Sequence, residues 1–261
     1  AAAKNFKDTC VLSSSKQYGE FIKIYNAQDG KLTMEQRKTF AAKSFATSSH
    51  YDTAIFNYFN SDNSQADFRQ SFEQEKALRY GENPHQSASF YGKLDDYFDQ
   101  LHGKELSYNN LVDIDAAVNV IAEFSEPSFA IMKHTNTCGL ASAATNSLAY
   151  DKALACDPVS AFGGILATNQ KIELELAEKI HQLFCEVVIA PEFSDEALEV
   201  LRGKKNRILL KQKIFTKPAK QFKSLLNGVI AQDYDAFMED ESTFKLATEK
   251  NISADQEQNL V

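Results

Sequence analysis

From Ser71 onward, short apolar runs suited to strands alternate with amphipathic runs suited to helices, and this alternation restricts the chain to an α/β fold more tightly than any other feature. Ser87 to Tyr91 and Phe129 to Met132 read as strands. Between them Ile114 to Phe124 reads as a helix carrying Ala116, Val120, Ile121 and Phe124. Gly164 to Ala167, Val187 to Ala190 and Ile208 to Leu210 continue the strand series, with helices at Glu173 to Phe184 and Asp195 to Leu201. Repeated βα units predict parallel strands with helices covering the sheet, because a crossover helix must return the chain to the same sheet edge.

The first sixty residues follow another pattern. Ala1 to Asn5 reads as helix interior and Cys10 to Leu12 as a short strand, while Tyr18, Phe21, Ile22 and Tyr25 mark one helical face. Asp29-Gly30 is a turn signal, and Thr33 with Gln36 forms a capping box. That box opens a long helical run in which Phe40, Ala41, Phe45, Ile55 and Phe59 are expected to line a core. The polar, turn-rich stretch 60–70 is expected to separate residues 1–60 from residues 71–261. Ser253 with Gln256 makes a second capping pair close to Val261, and two ragged ends lead us to expect a fragment.

Charge limits the partners. Against 36 acidic side chains stand 28 Lys and Arg, a formal charge of −8, so general affinity for nucleic acid is not expected and an anionic ligand needs a locally basic pocket. No run approaches the roughly 20 apolar residues of a membrane span, and no hydrophobic signal core follows Ala1, so no membrane partner is expected. Cys10, Cys138, Cys156 and Cys185 form no CxxC pair, which fits a reducing cytoplasm.

Three polar clusters sit beside the strands, at junctions where open α/β sheets place ligand sites. Arg79-Tyr80-Gly81-Glu82-Asn83-Pro84-His85-Gln86 combines a guanidinium suited to phosphate or carboxylate with a glycine that admits a close ligand; a polar loop tied by Asn-Pro reads equally from composition. Lys133-His134-Thr135-Asn136-Thr137-Cys138-Gly139 follows an apolar strand. Its ammonium beside an imidazole suits a proton shuttle, and an exposed Lys beside a hydrogen-bonded His reads as well. His134 and Cys138 are four apart, but the H-x-E and P-C-x-x-C spacing of zinc deaminases is missing, so no metal is expected. In Asp157-Pro158-Val159-Ser160-Ala161-Phe162-Gly163-Gly164 the paired glycines permit positive φ and leave amides free to face an anion, although alone they mark a turn.

Taken in order, Arg79 to Gln86, KELSYNNLVDIDAA at Lys104 to Ala117, Lys133 to Gly139, DPVSAFGG at Asp157 to Gly164 and EVVIAP at Glu186 to Pro191 resemble one family. It is the bifunctional purine-biosynthesis family that joins phosphoribosylaminoimidazolecarboxamide (AICAR) formyltransferase to IMP cyclohydrolase. The resemblance implies a three-layer αβα, cytidine-deaminase-like transformylase unit over 71–261, a linker at 61–70, and at 1–60 the C-terminal part of a methylglyoxal-synthase-like cyclohydrolase domain. It further implies that Lys133 and His134 are the catalytic pair, that Arg79, Tyr80, Gly163 and Glu186 bind AICAR, and that Val159 and Ser160 face the formyl donor, 10-formyltetrahydrofolate. Lys4 matches a cyclohydrolase-site lysine. A cytoplasmic homodimer is implied, and the family loop KHxNPCG has Thr137 in place of its proline, which is expected to loosen the turn. The family's Lys-Ser-Asn segment would lie beyond Val261 and most cyclohydrolase residues before Ala1, so the isolated chain is expected to be inactive or crippled. A noncatalytic nucleotide-binding module is the alternative, and AICAR binding without turnover would mark it.

Overall fold

The structure is a computed structural model that describes every residue except 63, 214–215, 238–244, 246, 248, 255 and 257–261. The chain divides into two compact units, Ala1–Lys213 and Ile214–Val261. In the first, 3-10 turns at Ala2–Asn5 and Ser15–Gln17 precede helices α1 (Tyr18–Ala27) and α2 (Met34–Phe59). There follow β1 (Glu75–Leu78), β2 (Ala88–Tyr91), a 3-10 turn at Leu94–Asp96, β3 (Phe98–His102), α3 (Tyr108–Ile121), β4 (Ser128–Lys133), β5 (Asn136–Ser142) and α4 (Asn146–Cys156). Then come β6 (Ile165–Thr168), α5 (Leu174–Gln182), β7 (Val187–Ala190), α6 (Asp195–Arg202) and β8 (Ile208–Gln212). In the second unit β9 (Lys220–Leu225) and β10 (Gly228–Asp233) form an antiparallel hairpin.

Six strands make the central sheet, in the order β3-β8-β7-β6-β4-β5. Only β6, β7 and β8 are parallel; β4 runs against β6, β5 against β4, and β3 against β8. The sheet is therefore mixed, correcting the expectation of parallel strands throughout. The cause lies after Met132, where the chain turns back as a hairpin, so the strand that feeds crossover helix α4 is β5 and β4 is left antiparallel between β5 and β6. Both sheet faces are covered. Phe129, Ile131, Leu166, Val188 and Leu209 share a buried cluster with α4, α5 and α6 through Tyr150, Ile180 and Leu201. Helix α3 packs against β4 and β6 with Ile114, Ala117, Val118 and Ile121 buried. Burial on both faces explains why β7, and β6 up to Thr168, are apolar without alternation.

The capping box of Thr33 and Gln36 forms, and α1 covers the expected Tyr18 to Tyr25 span. Asp29 and Gly30 turn with positive φ. Phe40 and Ala41 are buried, but Phe45, Ile55 and Phe59 are exposed, so the far half of α2 lines no core within this chain. Cys10 to Leu12 forms no strand. Ala1 to Asn5 is a single 3-10 turn packed against α2. In the second unit Ser253 and Gln256 make both bonds of the predicted capping pair.

Candidate functional site

The three clusters do not sit at strand-to-helix junctions. Arg79 to Gln86 links β1 to β2, Lys133 to Gly139 is a hairpin, and Asp157 to Gly164 leads from a helix into β6. Because β4 is antiparallel, its carboxyl end reaches the same rim as the amino ends of β6 and β7, and Lys133, Gly164 and Glu186 gather there.

Lys133 Nζ donates to the Phe162 carbonyl at 2.9 Å, joining the hairpin to the glycine bend. Gly163 has φ 77°, as a turn glycine should. The Gly163 amide donates to Phe184 O at 2.7 Å and the Gly164 amide to Ala161 O at 3.1 Å, so these two N–H groups are engaged by the protein rather than left free for an anion. Gly164 is needed for closeness: a Cβ there would lie 2.9 Å from Met132 O. Its carbonyl accepts from the Glu186 amide at 3.0 Å.

Glu186 is the charged centre of the rim. Burial pushes its carboxyl up, but hydrogen bonds from Lys104 (2.9 Å) and Asn110 (3.2 Å), with the charges of Lys104 and Arg79, hold it below the usual carboxylate range. Asn110 is aimed there because it closes a capping box with Ser107 at the start of α3. The same helix end reaches the first cluster: the Tyr108 amide donates to Tyr80 O at 3.3 Å, and Asn109 Nδ2 to Glu82 O at 3.2 Å. Arg79 donates to the Tyr80 hydroxyl at 2.8 Å. Beside Glu186 a cavity of about 210 Å³ is lined in part by Lys104, Lys204, Lys205 and Arg207, the locally basic wall an anionic ligand requires in an acidic chain.

His134 and Thr135 form the two-residue turn between Lys133 and Asn136, at φ 51° and 63°. Thr137 lies beyond the turn, in β5, where Met132 pairs with Thr137 and Ile131 with Gly139, leaving Cys138 as an extra residue. Asp157 accepts from the Ser160 amide at 2.9 Å, and the Ser160 hydroxyl and amide hold its carboxyl below the usual range. This orders Val159 and Ser160, with Val159 83% exposed. Lys4 is exposed on its 3-10 turn. Among the described residues no group of three or more His, Cys, Asp or Glu is arranged to hold a metal ion.

The chain's sequence matches one family over residues 2–261, the AICARFT/IMPCHase bienzyme. The chain belongs to this family. The bifunctional purine biosynthesis protein PurH of Bacteroides thetaiotaomicron is 49% identical over 261 residues, covering 100% of this chain and 51% of the relative. PurH proteins of Bacillus cereus (strain B4264) and Bacillus mycoides are each 41% identical over 264 residues, covering 97% of this chain and 52% of theirs. The chain thus spans about half the length of these curated relatives. Lys104, Asn109, Asn110 and Asp113, which lie in none of the three clusters, each hydrogen-bond to a residue or turn of this rim. Their signal was present in the Ser107-x-x-Asn110 capping pattern, which fixes where the first turn of α3 points.

Proposed function

We propose that this chain serves de novo purine biosynthesis as part of an AICAR formyltransferase/IMP cyclohydrolase, and that its sheet rim holds the formyl-transfer site. Residues 1–60 are read as the end of a methylglyoxal-synthase-like cyclohydrolase domain contributing Lys4, 61–70 as a linker, and 71–261 as the first half of a cytidine-deaminase-like transformylase domain. What carries the reading is the hydrogen-bonded continuity from the Tyr80 loop through α3 and Glu186 to the glycine bend and Lys133.

In this site Arg79, Tyr80, Gly163 and Glu186 hold AICAR. Val159 and Ser160 meet 10-formyltetrahydrofolate, for which the exposed Val159 offers apolar surface on an ordered loop. The AICAR 5-amino group attacks the formyl carbon, His134 accepts the proton that the amine loses, and Lys133 places positive charge near the developing oxyanion. The tetrahedral intermediate then collapses with cleavage of the bond from the formyl carbon to the folate N10, which takes a proton from His134 as tetrahydrofolate leaves. An aromatic amine is a weak nucleophile, so holding both substrates in register supplies much of the rate. The complete enzyme is read as a cytoplasmic homodimer, and the exposed aromatic half of α2 supports a partner surface.

The test replaces His134 by Ala in a complete bienzyme, made by exchanging this chain for the matching half of the Bacteroides relative. Formyl transfer should fall by about 10²-fold or more while IMP cyclisation is unchanged. Retained transfer would refute the role of His134.

A further inference from the structure

Among the described residues, two consecutive non-glycine residues with left-handed backbone occur only at His134 and Thr135. Two-residue hairpin turns of this kind favour Asn and Gly, and a β-branched residue such as Thr is poorly suited to positive φ. Something must hold the turn. Two bonds are internal to it: Thr135 Oγ1 and Asn136 Nδ2 donate to His134 O at 2.6 and 2.8 Å. The third comes from outside, where the Thr135 amide donates to Asp113 Oδ1 at 2.8 Å. Asp113 stands one helical turn beyond Asn109 on α3, the helix whose first residues also hold Glu82 and Glu186.

We infer that Asp113 is the positioning residue for His134: by accepting the Thr135 amide, it fixes the left-handed turn on which the imidazole is presented to the rim. This inference deepens the formyl-transfer reading and rests on it. The role calls for an acceptor oxygen at this place on α3 and makes no demand for a charge.

Three variants and two readouts test it. Asp113→Ala removes the acceptor, Asp113→Asn keeps one, and Asp113→Ala with Thr135→Gly supplies a residue that adopts positive φ unaided. In the chain itself, amide hydrogen exchange at Thr135, followed by NMR, should quicken by about tenfold or more in D113A and stay within about threefold in D113N. In the bienzyme chimaera, D113A should lower kcat for formyl transfer by about tenfold or more with KM for AICAR within about twofold. D113N should stay near the parent, and the double variant should recover much of the loss. Equal kcat in D113A and the parent, or equal loss in D113A and D113N, overturns the inference. So does unchanged Thr135 exchange in D113A, whatever the kinetics. Should D113A not fold, Asp113→Glu, which displaces the carboxylate, takes its place with the same expectations. A parent chimaera without formyl transfer sinks the functional reading, while the exchange result decides the anchoring of the turn separately.

Discussion

Glu186 combines three things that rarely coincide on one side chain: partial burial, a lysine partner from a distant loop and an amide partner from a helix cap. Its carboxyl is held below the ordinary range, so the stability it contributes is complete above that range and is lost as pH falls through the lowered value. Glu186→Gln keeps the shape and removes the charge. Its melting temperature should lie below that of the parent at about pH 7, and the gap should narrow as pH falls through the lowered carboxyl value. A gap independent of pH in calorimetric melts would mean that the charge contributes nothing. The residue also illustrates what a sequence conceals. Its place before an apolar strand was legible, whereas its partners were not, because Lys104 and Asn110 lie 82 and 76 positions away and reach it only after the sheet has formed.

At the level of elements, β4, β6, β7 and β8 were readable because the stretch of each that is covered on both faces is a short apolar run, such as Phe129 to Met132 or Ile208 to Leu210. Strand β5 was not. It is a half-exposed edge strand of small and polar residues, Asn136 to Ser142, and it reads as loop. Missing it hid the hairpin, and with it the antiparallel run of β4 and the side of the sheet on which the site lies. The same strand sets a narrow tolerance: a Cβ on Gly139 would stand 2.0 Å from the Ala153 carbonyl of α4. Gly139→Ala should therefore cost about 3 kcal/mol in urea unfolding, or prevent folding, since backbone rather than a pliable side chain is in the way. A cost under about 1 kcal/mol would show that α4 can lift from the sheet. The resemblance of five motifs named candidate residues before any strand order was known, but the α3 contacts that join those motifs required the fold.

Considered as a whole, the buried hydrophobic core of the described residues lies within Ala1–Lys213. Strands β9 and β10 of the second unit are exposed along their entire length. A chain ending at Lys213 is accordingly expected to melt within about 5 °C of the parent by circular dichroism, because little apolar burial is removed. A larger fall would show that the second unit braces the first. Among the described residues no helix is long and apolar enough to cross a membrane.

The amino end of α3 acts as a clasp: the Tyr80 loop, Glu186 and the His134 turn each close onto it through a separate hydrogen bond. Segments dispersed along the polypeptide thus share one fastening, and fraying of that single helix terminus would release all three together. Order at that one helix end is therefore a shared condition for the arrangement of the whole rim.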